Sequence, residues 1–525
     1  MHRRTLLQAL GLVPFVQAYR GVVLGASGAV QSSAPAPDVE LALTAAPGEH
    51  ALLPGAATRV WRYTGTLVKG PAGTLQPVAG SSLGPVIRLV RGQRVRIRFA
   101  NRLAEPSIVH WHGLDVPEAA DGHPRLAVPA GADYVYDFTV TNRAGTYWYH
   151  PHPHMRTAAQ AYMGLAGLLI VSDPEEAALG LPSGDGELLC VLQDRRLDAG
   201  NQLVYPTAAS NGMAGMDAGG GRDRGRGRGM GMGMGGQMEL MNGWLGDRML
   251  VNGQVQPTFD VARRTYRVRL LNGSNARIYK LAWSDGAPFT VLGGDGGLLP
   301  APRSQPTLTL APGQRADVLR ELSTVAAGAT VRLTSAAFDE ASVGRVGMMG
   351  ETSPVPQGAP LTLMTLRGTS ATGPRVTAPA RLGADTFTAD ASAPVRRVPL
   401  TFMMMNWLID GRTFEMTDAT PAETVARGST HVWEFENRAN PMGMAMAHPI
   451  HMHGRQFRVI GRSGGAANAL REGIHDQGWT DTVLVLPGET VRVQVTFSQE
   501  PGLYLYHCHI LEHEDMGMMR NFRIR

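Results

Sequence analysis

The chain has 525 residues, a net charge of +5, 64 glycines, 35 prolines and only two cysteines. Two thiols exclude a disulfide framework, and no lysine-rich stripe with interleaved aromatics supports nucleic-acid binding. The length fits two to four domains. Short Val/Ile/Leu/Thr/Tyr runs between Gly/Pro turns outnumber patterns of helical period, which predicts an all-β protein built from sandwiches.

In chain order, residues 1–38 read as an export signal and a flexible start. Arg3 and Arg4 precede the apolar run "TLLQALGLVPFV" and then small residues, the pattern of a twin-arginine signal. The run is too short to span a membrane, so the expected location is periplasmic or secreted. Residues 39–175 form a first domain of alternating strands such as "VIRLVRGQRVRIRFAN". Residues 176–370 form a second, opening on "GELLCVLQD", where Cys190 reads as a buried structural thiol. This domain contains a methionine- and glycine-rich segment, residues 211–241, whose glycine content predicts a mobile surface loop. Residues 371–395, rich in Ala, Thr and Pro, read as a linker, and residues 396–525 as a third domain. The expected state is a monomer.

The first and third domains echo each other. "HWHG" at His110–Gly113 matches "HMHG" at His451–Gly454, and "GTYWYHPH" matches "GLYLYHCH". Such repetition predicts duplicated domains of one β fold. Of the sixteen histidines, ten fall in four clusters: His110 and His112; His150 and His152; His448, His451 and His453; His507, His509 and His513. On a strand, residues i and i+2 share a face, so each His-x-His aims two imidazoles at one place. Two pairs in each terminal domain supply eight ligands, enough for several metal ions.

The same alternation separates Cys508 from its neighbours. In "YHCHI", His507 and His509 face one way and Cys508 the other, so the cysteine belongs to a different metal site. A thiolate with two imidazoles and a distant thioether is the ligand set of a blue-copper centre. The chain supplies Cys508, His513, Met518 and the upstream His448. Zinc also takes Cys and His, but a structural zinc site leaves eight further histidines unexplained.

"HWHG", "YWYHPH", "HPIHMHG" and "HCHILEHEDMGMM" resemble the four copper motifs of the multicopper oxidases. "NGWLGDRMLVNG", "RVRLLNGSNAR" and "GGDGGLLPAP" resemble the middle domain of the bacterial three-domain laccases and copper-efflux oxidases. The resemblance implies three cupredoxin-like Greek-key β-sandwiches and four copper ions. A type 1 copper would lie on His448, Cys508 and His513 with Met518 axial, and a type 2 copper on His110 and His451. A type 3 pair would take His112, His150 and His509 on one ion, and His152, His453 and His507 on the other. It also implies one-electron oxidation at type 1, transfer through Cys508 to His507 and His509, and reduction of dioxygen to two waters. Asp121 and Glu514 match acidic residues that the family uses for proton supply; each also reads as a carboxylate orienting a histidine. Asp481 in "GWTDTV" reads as orienting backbone or a ligand, and His123 and His154 as near-site hydrogen-bonding groups.

The donor divides three readings. Met403, Met404, Met405, Met442, Met444, Met446 and the loop methionines form a supply of thioethers, which prefer Cu(I). Met446 matches a methionine that helps bind Cu(I) in the copper-efflux oxidases, whereas Met444 stands where they carry an aspartate. The first reading is a cuprous oxidase acting in copper tolerance and oxidising phenols less well. The second is a broad laccase for phenols and aromatic amines. The third is a non-enzyme that sequesters copper.

Overall fold

Residues 35–206, 236, 238–346 and 353–525 are described in the computed structural model. Residues 1–34, where the export signal is expected, and most of the methionine- and glycine-rich segment, up to residue 235, fall outside them. Among the described residues no helix is long and apolar enough to cross a membrane.

Period-two sequences become strands, and burial shows which face meets a core. Val39–His50 buries alternate residues from Val39 to Ala45, and Arg94–Asn101 alternates likewise. Thr265–Asn272 alternates in sequence as a half-buried strand does, yet every residue in it is buried. Its arginines do not face water. Arg267 pairs with Glu176 and Asp317, and Arg269 with Glu187 and Asp317.

Six sheets draw their strands from three consecutive stretches, residues 39–172, 187–372 and 395–524. One pairing scheme recurs in all three. Val39–His50 lies antiparallel to Thr58–Lys69 and parallel to Arg94–Asn101, which is antiparallel to Asp133–Thr139. Glu187–Arg195 stands in the same relation to Arg248–Val251, Thr265–Asn272 and Arg315–Glu321. Val395–Met403 repeats it with Asn406–Ile409, Thr430–Asn437 and Glu489–Thr496. The middle stretch therefore repeats the fold of its neighbours although it lacks their histidine motifs. Each stretch has its own apolar core, anchored by aromatics such as Trp111, Trp283 and Trp433.

The histidine motifs ride on the second sheet of the outer stretches. Val109–His112 pairs with Gly145–Pro151, with His110 opposite His150. His448–Met452 pairs with Gly502–Cys508, with His451 opposite His507 and Ile450 opposite Cys508. The expected linker contains no helix or strand from residue 373 to 394, yet it is not loose: Leu382 is buried against Leu181, Leu292 and Leu319. Cys190 is buried with its Sγ 3.9 Å from Met364 Sδ, and burial pushes its thiol up to about 12.

A buried ion pair ties the last strand to the rest of its sheet. Glu423 accepts hydrogen bonds from Arg520, Tyr506 and the Thr420 amide. Burial alone would raise its pKa, but these donors outweigh it and hold the carboxyl at about 2, against an ordinary 4.5. A folded value below the unfolded one gives stability that is present above pH 4.5 and lost as pH falls toward 2. Glu423→Gln is therefore expected to cost about 2–3 kcal/mol at neutral pH. Denaturant titrations should show that gap closing between pH 4.5 and pH 2.

Candidate metal centre

Eight histidines converge where the first and third stretches meet. Strand geometry sets His110 and His112 on one face, His150 at a strand end with His152 just beyond, and the third stretch repeats this with His451, His453, His507 and His509. All eight are fully buried. His110, His112 and His150 present ligand atoms within 4.8 Å of one another, as do His110, His451 and His453, and His152, His453 and His507. The closest approaches are Nε2 to Nε2: 3.3 Å for His110–His451, 3.3 Å for His152–His507 and 3.2 Å for His453–His507. His509 joins none of these tight sets. Its ring lies 4.9 Å from that of His112 and 5.4 Å from that of His150.

Backbone carbonyls hold the outward nitrogen of four of the rings, which frees the inward one. His110 Nδ1 meets the Asp121 carbonyl at 2.6 Å, His150 the Pro151 carbonyl at 2.9 Å, His451 the Asp481 carbonyl at 2.9 Å and His507 the Cys508 carbonyl at 3.0 Å. An acceptor at Nδ1 fixes the tautomer and leaves the Nε2 lone pair for a metal. His150 Nε2, His112 Nδ1, His152 Nδ1 and both nitrogens of His509 are buried without hydrogen-bond partners. Burial first, then the neighbouring imidazoles, holds seven of these histidines below the ordinary 6.5. Neutral imidazoles with orphaned nitrogens in a sealed chamber suit a group of borderline metal ions.

A second cluster lies on the far side of the Gly502–Cys508 strand. Cys508 Sγ is 3.4 Å from His448 Nδ1 and 3.6 Å from His513 Nδ1, and all three are fully buried. Met518 is buried in the same core, and its carbonyl accepts the Cys508 amide at 3.0 Å. His448 Nε2 has no partner, whereas His513 Nε2 donates to the Met241 carbonyl at 2.9 Å. A thiol and two imidazoles, with a methionine in the same core, suit copper. The backbone of one residue separates this cluster from the eight-histidine chamber.

The chain matches two family models described as multicopper oxidase, over residues 61–176 and 388–525. The solved McoA multicopper oxidase of Aquifex aeolicus is 32% identical, with a TM-score of 0.73 over 93% of this chain and 97% of that one. The chain belongs to the multicopper oxidases. A bilirubin oxidase of Albifimbria verrucaria is 30% identical over 84% of this chain and 71% of its own length. A cell division protein, FtsP of Sodalis glossinidius, is 31% identical over 88% of this chain and 87% of its own. Family membership implies copper, dioxygen and a reducing substrate. Since relatives carry such different names, the specific role rests on this chain's own residues.

In this multicopper oxidase both acidic residues singled out in the sequence reach the histidine chamber. Asp121 Oδ2 meets His453 Nδ1 at 2.8 Å while its carbonyl holds His110. Glu514 lies 3.4 Å from both His152 Nε2 and His507 Nδ1. Burial pushes both carboxyls well up. His123 hydrogen-bonds Asn521 and the Arg125 amide, and His154 packs on Phe414; neither enters a metal set.

Asp481 does more than the sequence suggested. Its Oδ1 lies 3.0 Å from His112 Nε2, its carbonyl holds His451, and Arg315 grips its carboxylate at 2.8 and 2.6 Å. Burial alone would raise the Asp481 pKa, but Arg315 holds it well below the usual range; Asp295, also against Arg315, is pushed up to about 6 by burial. Arg315 comes from the middle stretch, in the plain turn-and-strand sequence "APGQRADVLRE". Sequence reading missed it because nothing local marks it. Gly113 sits between them at φ +89°, where a Cβ would lie 2.6 Å from Arg315 Nη2 and from Asp481 Oδ2.

The methionines divide. Residues 238–241 are helical, and Met241, expected on a mobile surface loop, is buried in the core of the third stretch. Its carbonyl accepts from both His513 Nε2 and Trp407 Nε1, which explains the departure. Trp407 in turn packs 4.7 Å from His448 and 4.9 Å from His513. Met446 is buried and lines a small crevice with Glu239 and Glu340, while Met444 is half-buried. Met403, Met404, Met405 and Met442 are exposed. Met404 and Met405 form the two-residue turn of the Val395–Met403/Asn406–Ile409 hairpin, at φ +50° and +64°. That turn favours Asn-Gly, and left-handed φ costs a methionine about 1–2 kcal/mol.

Proposed function

We propose that the protein is a four-copper oxidase that takes electrons from Cu(I) and from phenols, and serves copper tolerance. His448, Cys508, His513 and Met518 would hold the type 1 ion, and His110 and His451 the type 2 ion. His112, His150 and His509, and His152, His453 and His507, would hold the type 3 pair. Bound copper supplies the one-electron chemistry, four donor electrons and four protons turning one dioxygen into two waters. The observation that carries this reading is the Cys508 cluster set back-to-back with the histidine chamber, with His507 and His509 as its direct chain neighbours.

The protein's own part is to orient and to exclude water. Carbonyls of Asp121, Pro151, Asp481 and Cys508 fix four imidazoles, and Asp121 fixes His453 through its carboxylate. Asp121 and Glu514 stand where a proton can be held beside the chamber. Trp407 and the Met241 carbonyl hold the His513 ring.

Exposed methionines on a strained turn, the nearest two residues before Trp407, favour Cu(I) as a donor, and Met446 and Met444 add two more thioethers. The phenol reading draws on the relative named for bilirubin, an organic donor. The Arg3–Arg4 start supports export by the twin-arginine route.

Oxygen uptake by the fully copper-loaded protein tests this. Four Cu(I) or four phenol oxidations per dioxygen are expected. Deleting residues 212–235, which spares Met241, should lower the Cu(I) rate and leave the phenol rate. An unchanged Cu(I) rate removes the segment from the substrate role, and no uptake with any donor favours copper storage.

A further inference from the structure

The loops that follow His110–Gly113 and His451–Gly454 border a crevice that the metal centre does not use. It has a volume of about 260 Å³ and is lined by Arg91, Asp115, Asn142, Arg143, Arg455 and Trp479, among others. Three guanidiniums face a single carboxylate there. Arg455 is paired with Asp115. The next acid, Glu500, lies near enough to act on Asp115.

Among the described residues Arg143 pairs with no carboxylate. Its Nε donates to the Gly296 carbonyl at 3.2 Å and its Nη2 to Gln456 Oε1 at 2.8 Å, while its plane lies 4.9 Å from the Trp479 ring. The ionic groups that act on it most are Tyr147 and two cations, Arg91 and Arg458. Arg458 is balanced by Asp385. Arg91 is exposed and makes no ion pair or side-chain hydrogen bond among the described residues. A half-buried guanidinium without a counter-charge is costly, and a second unpaired one beside it raises that cost.

We infer that this crevice binds a small oxyanion, a carboxylate or an inorganic oxyanion, between Arg143 and Arg91. The planar fork of arginine matches two oxygens of either group. The volume falls below that of sites for drug-sized ligands, so the anion is small. Arg143 rests on Gln456, and both Gln456 and Asn142 donate to the Gly113 carbonyl, at 3.4 and 3.0 Å. An anion held here therefore adjoins Arg455 and Gln456, just past His453, and is linked to Gly113, just past His112, through Asn142 and Gln456.

Isothermal titration of the copper-loaded protein at low ionic strength, with citrate and with inorganic phosphate, tests the site. Saturable binding at one site per chain is expected for at least one of them. Arg143→Gln should weaken it about tenfold or more, the loss of one charged hydrogen-bonding group. Arg91→Ser should weaken it severalfold with an unchanged melting midpoint, which decides the matter where Arg143→Gln fails to fold. Preference for citrate identifies organic carboxylates as the ligand, and preference for phosphate an inorganic oxyanion. The chain is net positive, so Arg59→Ser, outside the crevice, serves as the control and should leave the affinity intact. The site is refuted by the absence of saturable binding, by wild-type affinity in Arg91→Ser, or by an equal loss in Arg59→Ser.

Discussion

Oxygen uptake by a Cys508→Ser protein is expected to fall at least about a thousandfold, equal to about 4 kcal/mol of lost transition-state stabilisation. The blue absorption should vanish with it, and copper analysis should show one ion fewer per chain. Serine is a hard donor that does not ionise at neutral pH, so it cannot replace a thiolate toward a soft metal. The fold should persist. Cys508 is held through backbone, its amide on the Met518 carbonyl at 3.0 Å, and besides facing His448 and His513 its Sγ accepts the Ile510 amide at 3.4 Å, a bond that a hydroxyl can also accept. Cys190→Ser provides the contrast: that thiol touches Met364 in the middle stretch, so colour and uptake should both survive. Loss of colour with uptake intact would mean that electrons enter the histidine chamber by some path other than Cys508.

The residues that gather in the two clusters were legible in the sequence because their spacing and their geometry obey one rule. A His-x-His on a strand puts both rings on one face whatever the tertiary structure does, and the same rule turns Cys508 away from His507 and His509. The all-β class followed from alternation in the same way. What could not be read was contact between residues far apart in the chain. Arg315 lies 166 positions from Asp481, in a strand whose alternation marks it as one more solvent-facing arginine. Met241 was hidden by composition: glycine dominates the segment before it, yet its carbonyl serves His513, 272 positions on. The all-buried strand Thr265–Asn272 failed for a related reason, since the partners that cover its arginines come from other parts of the chain.

Arg315→Met should test whether the middle stretch is a working part of the metal centre. The substitution keeps the aliphatic stem and removes both guanidinium donors to Asp481, leaving a buried carboxylate without its cation. Breaking such a pair from one side costs about 3–5 kcal/mol, visible as a lower denaturation midpoint. Stability alone would not separate a positioning role from a structural one, so the double variant Arg315→Met/Asp481→Leu is the informative protein. Removing both charges should recover much of the lost stability. Copper at the His110/His451 site should nonetheless remain low in the double variant, with an altered type 2 electron paramagnetic resonance signal. The reason is geometric: the Asp481 carboxylate lies 3.0 Å from His112 Nε2 and 3.5 Å from His451 Nδ1, and leucine takes it away from both rings, leaving His451 only the backbone carbonyl and Thr482. Arg315→Lys should fall between, because one ammonium cannot hold both carboxylate oxygens at once. Normal type 2 copper in a refolded double variant would reduce the Arg315–Asp481 pair to a structural tie. A deficit that follows Asp481, with stability restored, would show that the middle sandwich shapes a site to which it contributes no metal ligand.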